Sequence, residues 1–315
     1  MFNTYRTFHG EICEVKFIQP GSWIRLTDPS MEECQDVAER YEIDIADVRA
    51  ALDEEESSRI ELEDGYILIL VDIPAEEEGS VSTRKNFTTI PLGIILTEDC
   101  IITVCTEETP ILQHFIRNRV KEFSTKKRMR FVYQILFYTA TTYQSRLRMV
   151  DRRRRAIEEN VGDNTENVDL VDLHNLESTL VYFATSLRAN GVVLDRLTRY
   201  KRLEQYPEDT ELLDDVIIEN KQAIEMTAIY RDIINGTREL MSSVINNRLN
   251  NVMKYLTSIT LVMAIPTIIS GIYGMNVDGN WMPLSTTPYG FGIICLIIAA
   301  ACVVTLFVLW KKRML

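Results

Sequence analysis

The stretch "SGIYGMNVDGNWMPL", Ser270 to Leu284, decides how the rest of the chain is read. It carries one charge, Asp278, and is rich in Gly and Asn, with one Tyr. It separates two apolar runs. No charged side chain occurs from Tyr255 to Val277, and none from Gly279 to Trp310. A helix needs about 20 apolar residues to cross a bilayer. Each run therefore predicts one span, over 255–273 and 289–310, with 274–288 as the turn between them.

The flanks orient these spans. Arg248 and Lys254 precede the first, and Lys311, Lys312 and Arg313 follow the second, in a basic tail at 311–315. The turn has no Lys or Arg. Cytoplasmic loops collect the positive charge. Both termini are then expected in the cytosol and the turn outside, with Trp281 and Tyr289 at the outer interface and Trp310 at the inner one. The N-terminal "MFNTYRTFHGEICEVKFIQP" scatters charges through a segment without an apolar core, so it does not read as a secretory signal.

Upstream of the spans the chain is acidic. Its 315 residues carry a formal charge of -12, which disfavours a nucleic-acid partner and suits attraction of cations. Residues 1–120 read as an α/β domain with a mixed sheet. "SWIRL" (22–26) and "YILILVDIP" (66–74) predict strands, and "TTIPLGIILTEDCIITVCTE" (88–107) a strand pair turning at Glu98-Asp99. Ser30 with Glu33 predicts a capping box. "EEEGS" (76–80) reads as a turn. Residues 121–206 predict a helical hairpin broken at "GDNT" (162–165), its second helix running from Val168 to Arg202. The run Arg152–Arg155 reads either as a solvated helix face paired with Glu158 and Glu159 or as a patch for phosphate or lipid headgroups. From Thr210 the pattern stays helical, with Pro266 as its first proline. A helix reaching Gly271 would be on the order of 90 Å long. Its first part, 207–254, is expected to stand in the cytosol as a stalk.

The six cysteines, Cys13, Cys34, Cys100, Cys105, Cys295 and Cys302, lack metal-ligand spacing and read as reduced small hydrophobes. There are three His and no Gly-rich phosphate loop. No catalytic constellation, organic cofactor or nucleotide coupling is expected, and the chain does not read as an enzyme.

Two spans enclose little on their own, so the chain is either an anchor or a subunit assembling around an axis. The first span carries a stripe at alternating steps of three and four: Asn246, Asn250, Met253, Thr257, Thr260, Ala264, Thr267, Gly271. It is small or polar over most of its length. Such a stripe can line a wet path or serve as helix-packing glue. The second span lacks one and reads as lipid-facing. Gly274 can release the backbone from helical geometry and expose a carbonyl, and Asn276 adds an amide oxygen. Mg²⁺ gives up its water reluctantly, so neutral oxygens that hydrogen-bond to its hydration shell suit it. Asp278 can concentrate cations. Asn276 also suits a helix C-cap.

Gly274-Met275-Asn276, preceded by Tyr273 within "MAIPTIISGIYGMN" (263–276) and followed by a second span and "KKR", resembles the signature of the CorA family of divalent-cation transporters. "WIRL" (23–26), "DEEESSRIELEDGYILIL" (53–70) and "YRDI" (230–233) look like family segments as well, and the resemblance covers the whole chain. It implies a funnel-shaped homopentamer in the cell membrane, its long stalk helix continuing into the first of two C-terminal spans. Gly274, Met275 and Asn276 would form the selectivity filter. Asn250, Met253, Leu256, Thr257, Thr260, Ala264 and Thr267 would line the pore, with Met253 and Leu256 as an apolar neck. Mg²⁺ would be both substrate and cytosolic regulator. Asp215 falls on a family sensor carboxylate, with Glu76 or Glu77 opposite it on a neighbouring subunit. Two positions depart from the pattern: Leu284 and Ser285 follow Pro283 where the family has an acidic residue, and an apolar pore position falls on Ala264. Relatives that carry Zn²⁺, Co²⁺ or Ni²⁺ share the signature. The expected activity is potential-driven Mg²⁺ influx; the alternatives are transport of a softer divalent ion and a non-conducting membrane-anchored sensor.

Overall fold

A sheet-forming N-terminal half and a helical C-terminal half follow one another in the computed structural model, which describes residues 1–77, 86–159, 167–200, 207–278, 282–284 and 287–312. The turn expected at 76–80, the break at 162–165, Trp281 and Arg313 lie wholly or partly outside the described residues. The strands are β1 (Phe2–Phe8), β2 (Glu11–Glu14), β3 (Trp23–Thr27), β4 (Arg59–Leu62), β5 (Tyr66–Glu76), β6 (Phe87–Thr97) and β7 (Ile101–Cys105). The helices are α1 (Met31–Tyr41), α2 (Ile45–Arg49), α3 (Pro110–Ile116), α4 (Arg128–Glu159), α5 (Asn167–Arg199), α6 (Pro207–Tyr273) and α7 (Gly290–Lys311), with a 3₁₀ turn at Ala50–Leu52. Two units divide the chain within α6, one running up to Arg238 and the other beginning at Glu239.

In the first unit the seven strands form one sheet in the order β2-β1-β3-β7-β6-β5-β4. β3 runs parallel to β7, with Trp23 opposite Ile101, and every other pair is antiparallel. The sheet is therefore mixed, as its strand patterns predict. Side chains alternate across it. Ile69, Val71 and Ile73 of β5 join one core with Trp23, Phe115, Phe131 and Leu194. Leu68 and Leu70 join the other with Ile24, Cys34, Val37 and Val48. α1 and α2 thus cover one face, and α3, α4, α5 and the start of α6 the opposite one. Trp23 is fully buried, and its indole N–H donates to Thr103 Oγ1 at 2.9 Å, so its polar atom is satisfied. Gly93 lies where β6 passes under the 3₁₀ turn; a Cβ there would come within 3.0 Å of Ala51 Cβ.

The capping box forms as read. Ser30 Oγ accepts from the Glu33 amide, and Glu33 Oε2 accepts from the Ser30 amide at 2.9 Å. The hairpin helices start later and end earlier than the pattern suggests, at Arg128 and Arg199. The run Arg152–Arg155 is not a uniformly solvated face. Arg154 is buried with Asp151, at 3.2 Å, and also pairs with Glu158; Arg153 reaches Asp172 on α5 at 3.2 Å; Arg155 holds the other oxygen of Asp151 at 2.7 Å. The run spreads around α4, and its third member fastens the hairpin to α6, since Arg154 Nη1 also donates to Thr237 Oγ1 at 3.4 Å. All six cysteines are free. Cys34, Cys100 and Cys105 are buried as small hydrophobes, whereas Cys13 and Cys295 are exposed.

Candidate functional site

The second unit contains the C-terminal part of α6 and all of α7, and both helices are long and apolar enough to cross a membrane. They differ in which faces are covered. On α6, Ser258, Val262, Ile265, Ile269 and Tyr273 lose exposure along one side, and Ala264 and Pro266 are half-buried as well. On α7 they are Ile294, Ile298, Ala301, Cys302, Thr305 and Leu309. Both sets follow the three-to-four spacing of a helix face. The Cys302 thiol lies 3.8 Å from the Val262 carbonyl oxygen between them.

The polar stripe lies elsewhere on α6. Asn246, Asn250, Met253, Leu256, Thr257, Thr260, Thr267 and Gly271 are all exposed, and Ala264 is half-buried. Within the chain this stripe is not the packing face toward α7; that face is built from Ser258, three β-branched residues and Tyr273. Thr260 Oγ1 donates to the Leu256 carbonyl at 2.8 Å, and Thr267 Oγ1 to that of Met263 at 2.9 Å. Each hydroxyl spends its one proton on the helix. Its oxygen then faces outward as an acceptor only, which suits the hydrogens of a cation's water shell.

α6 continues through Pro266 to Tyr273. The Gly274 amide still donates to the Ser270 carbonyl at 2.9 Å, and the Met275 amide to that of Ile272 at 3.3 Å. Gly274 is absent from the positive-φ residues, so it does not leave the helix through left-handed backbone, as its flexibility would allow. Asn276 does not adopt the left-handed C-cap conformation either. Gly274, Met275, Asn276 and Asp278 are all exposed. Among the described residues the Asn276 amide has no hydrogen-bond partner, so its oxygen is available. The returning chain is tied down by Tyr273, whose hydroxyl donates to the Pro283 carbonyl at 2.8 Å. That tether was not foreseen in the sequence, where Tyr273 reads only as the residue preceding the Gly-Met-Asn triplet. Gly290, the first residue of α7, cannot carry a side chain: a Cβ there would fall 2.0 Å from the Leu284 carbonyl oxygen.

The three acids expected to sense metal lie in the first unit. Asp215 is exposed on α6. Glu76 ends β5 half-buried, with Arg146 of α4 at 3.3 Å, and Glu77 is exposed. They do not form a site within one chain; among the described residues no group of three or more His, Cys, Asp or Glu side chains is placed to hold a metal ion. The expected pairing of Asp215 with Glu76 or Glu77 needs a second chain, and Arg146 already compensates Glu76.

Comparison with known proteins places this arrangement. A family model described as "CorA-like Mg2+ transporter protein" matches residues 19–313. The cobalt/magnesium transport protein CorA of Methanocaldococcus jannaschii is 29% identical over 281 residues, covering 86% of this chain and 84% of the relative. The protein of the same name from Thermotoga maritima is 23% identical over 299 residues, covering 93% and 83%. The complete structure of the M. jannaschii CorA magnesium transporter superposes with a TM-score of 0.82 at 25% identity, covering 98% of this chain and 96% of that one. Full-length CmaX shares the fold, with a TM-score of 0.72 at 17% identity over 100% of this chain and 97% of that one. With a family match running from just before β3 to the basic tail, the chain belongs to the CorA-like Mg²⁺ transporter protein family.

Proposed function

We propose that this protein is a divalent-cation channel of the cell membrane that passes Mg²⁺ inward down the membrane potential, as a homopentamer with both termini in the cytosol. The observation that carries this reading is the exposed acceptor stripe on α6, turned to a different face from the one that meets α7. An anchor has no use for such a stripe, and packing against α7 does not consume it. Five copies around an axis would bring the stripes together, with the Asn276 oxygens as a neutral ring at the outer mouth. The ion then crosses with its water on, held by acceptors that compete weakly for the metal. The membrane potential supplies about 2.3 kcal/mol per charge per 100 mV, so roughly 4.6 for a divalent ion. Met253 and Leu256 would form a dewetting neck. Asp215 would face a carboxylate of the next subunit. Cytosolic Mg²⁺ between them would hold the stalks closed, and its loss would release like charges to repel.

Transport of Co²⁺ is the second reading, favoured by the names of the M. jannaschii and T. maritima relatives, which couple cobalt with magnesium. Zn²⁺ and Ni²⁺ belong to the same alternative. Flux into liposomes separates these readings. Purified protein is reconstituted with an indicator inside, and Mg²⁺, Co²⁺ and Zn²⁺ are offered under an imposed potential and under a pH gradient, with Asn276→Ala in parallel. Potential-driven Mg²⁺ entry, lost at least tenfold in the variant, is the expected result. Zn²⁺ entry that requires a pH gradient, with little Mg²⁺ entry, would transfer the proposal to a proton-coupled transporter. Absence of all flux from folded, inserted protein would leave a membrane-anchored sensor.

A further inference from the structure

The rows along which α6 and α7 pack both run out into a lysine. On α6 the row that meets α7 passes through Tyr273, Ile269, Ile265, Val262 and Ser258, and its next member, four residues on, is Lys254. On α7 the row passes through Ile294, Ile298, Cys302, Thr305 and Leu309, and its next member, three residues on, is Lys312. Lys312 still follows the helical path, since its amide donates to the Val308 carbonyl at 3.0 Å. The two helices run antiparallel: Tyr273 meets Pro283 at one end, and Val262 meets Cys302 midway. At a rise of 1.5 Å per residue, Lys254 lies about 12 Å and Lys312 about 15 Å beyond that midway contact, on the facing sides of the pair.

Apolar packing thus brings two like charges to one place. The second unit offers them no carboxylate. Residues 239–315 hold five Lys or Arg against two acids, Glu239 and Asp278, a net charge of +3 in a chain of -12, which leaves -15 on residues 1–238. Glu239 precedes Lys254 by fifteen residues, about 22 Å of helix, and Asp278 lies past the opposite end of α6. Among the described residues neither lysine has an ion-pair partner. The carbonyl end of α7 supplies about half a negative charge, which falls short of two lysines. Elsewhere in the chain cations and acids meet directly, as Arg238 meets Glu177 at 2.8 Å.

Two aromatic side chains mark the depth of this pair. Tyr255 and Trp310 are 53% and 68% exposed. They stand about 11 and 12 Å beyond the midway contact, level with Lys254. Such rings settle at the headgroup layer of a bilayer. Their bodies then face the acyl chains, while the lysine ammonium groups reach the phosphates.

We propose that Lys254 and Lys312 together clamp the phosphate of an anionic phospholipid where the α6–α7 contact ends. A lipid suits the place better than a free phosphate ion, because the exposed aromatic and apolar surface beside the lysines accepts acyl chains. An anionic headgroup suits it better than a zwitterionic one, which brings its own cation to the phosphate. The clamp rests on the reading that the two helices span a bilayer; it does not require them to conduct.

The test uses full-length protein carrying Trp281→Phe, reconstituted in vesicles of phosphatidylcholine with phosphatidylglycerol as the minor component. Bromine, which quenches indole on contact, is placed on the acyl chains of one lipid or of the other. Trp23 is fully buried and gives a constant background, so quenching reports the lipid beside Trp310. Both leaflets have the same composition, so the direction of insertion does not matter. Phosphatidylglycerol is expected to be preferred over phosphatidylcholine beside Trp310 by about fivefold or more. In Lys254→Gln/Lys312→Gln the preference is expected to fall toward unity, and in Lys254→Arg/Lys312→Arg to persist. Arg248→Gln/Lys311→Gln removes the same charge from the same helix ends, off the packing rows, and is expected to keep most of the preference. Equal quenching by the two lipids with all four cations in place would overturn the proposal. So would an equal loss in both glutamine pairs, which would mean diffuse attraction to positive charge. A protein that shows the preference yet passes no ion would keep the clamp and remove the channel.

Discussion

Thiol chemistry separates the cysteines residue by residue. Burial pushes the Cys105 thiol up to about 11, and the Cys34 and Cys100 thiols also rise, again chiefly through burial. The thiolate is the reactive form. A brief maleimide treatment at pH 7.5, followed by mass spectrometry, is expected to modify Cys13 and leave these three intact; labelling of Cys105 as fast as Cys13 would contradict the packing described. Sequence spacing alone cannot tell Cys13, on a short outer strand, from Cys34 inside a helix face. Arg154 teaches the same lesson. Four consecutive arginines look alike in one dimension, whereas a helix turns them through 100° steps and delivers one of them inward. Arg154→Ala is expected to destabilise the protein by about 2–4 kcal/mol, measured as a loss in chemical unfolding, because Asp151 stays buried with only Arg155 against it. Arg152→Ala, at an exposed position, is expected to be nearly neutral.

Elements differ in how openly their sequences declare them. The α1 start is declared by Ser30 and Glu33, since a capping box is local chemistry; Ser30→Ala is expected to cost about 1 kcal/mol by the same measurement. β5, β6 and β7 announce themselves by β-branched runs. The face of α6 that meets α7 does not. Thr, Ala and Gly serve a wet surface and a helix contact equally well, so the stripe could be found in the sequence while its direction could not. The structure assigns the contact to Ser258 and its neighbours instead. Ser258→Leu is accordingly expected to destabilise the detergent-solubilised protein through overpacking by about 1–3 kcal/mol, seen as a lower melting temperature, while Ile268→Leu, on an exposed face, leaves it unchanged. The end of α6 is a similar case. Gly and Asn advertise a left-handed exit, yet the helix closes with ordinary backbone turns and a tyrosine tether whose partner is ten residues away. No local rule predicts that partner.

At the scale of the whole molecule, the proposed orientation has a direct measurement. In sealed right-side-out vesicles, a membrane-impermeant maleimide is expected to label Met275→Cys in a Cys13→Ser background, and not to label Cys13 in the wild type until the vesicles are opened. Labelling of Cys13 from outside would reverse the topology. The proposed assembly is checked by native mass measurement in detergent, with five protomers expected. Composition, span length and the Gly-Met-Asn triplet make the family legible from the chain alone. The ion does not become legible in this way, because neutral oxygens around a hydrated dication discriminate by shell size and exchange rate, quantities that no single residue encodes.

Asn190 of α5, whose Oδ1 accepts from the Asp72 amide at 2.9 Å and whose Nδ2 donates to the Asp72 carbonyl at 2.7 Å, carries a consequence beyond the single molecule. β4 pairs only with Ile67–Leu70 of β5, so the strand continues from Val71 to Glu76 with that side unpaired by any strand among the described residues. An open sheet edge of this kind is a template on which another chain can add itself. Asn190 occupies the central peptide of the opening with a side-chain imitation of a neighbouring strand. Its replacement by alanine would do more than weaken packing: it would leave the Asp72 peptide open between Val71 and Ile73, with only the charge of Asp72 and the missing amide of Pro74 to oppose strand addition, and the variant would be expected to aggregate on heating sooner than the wild type.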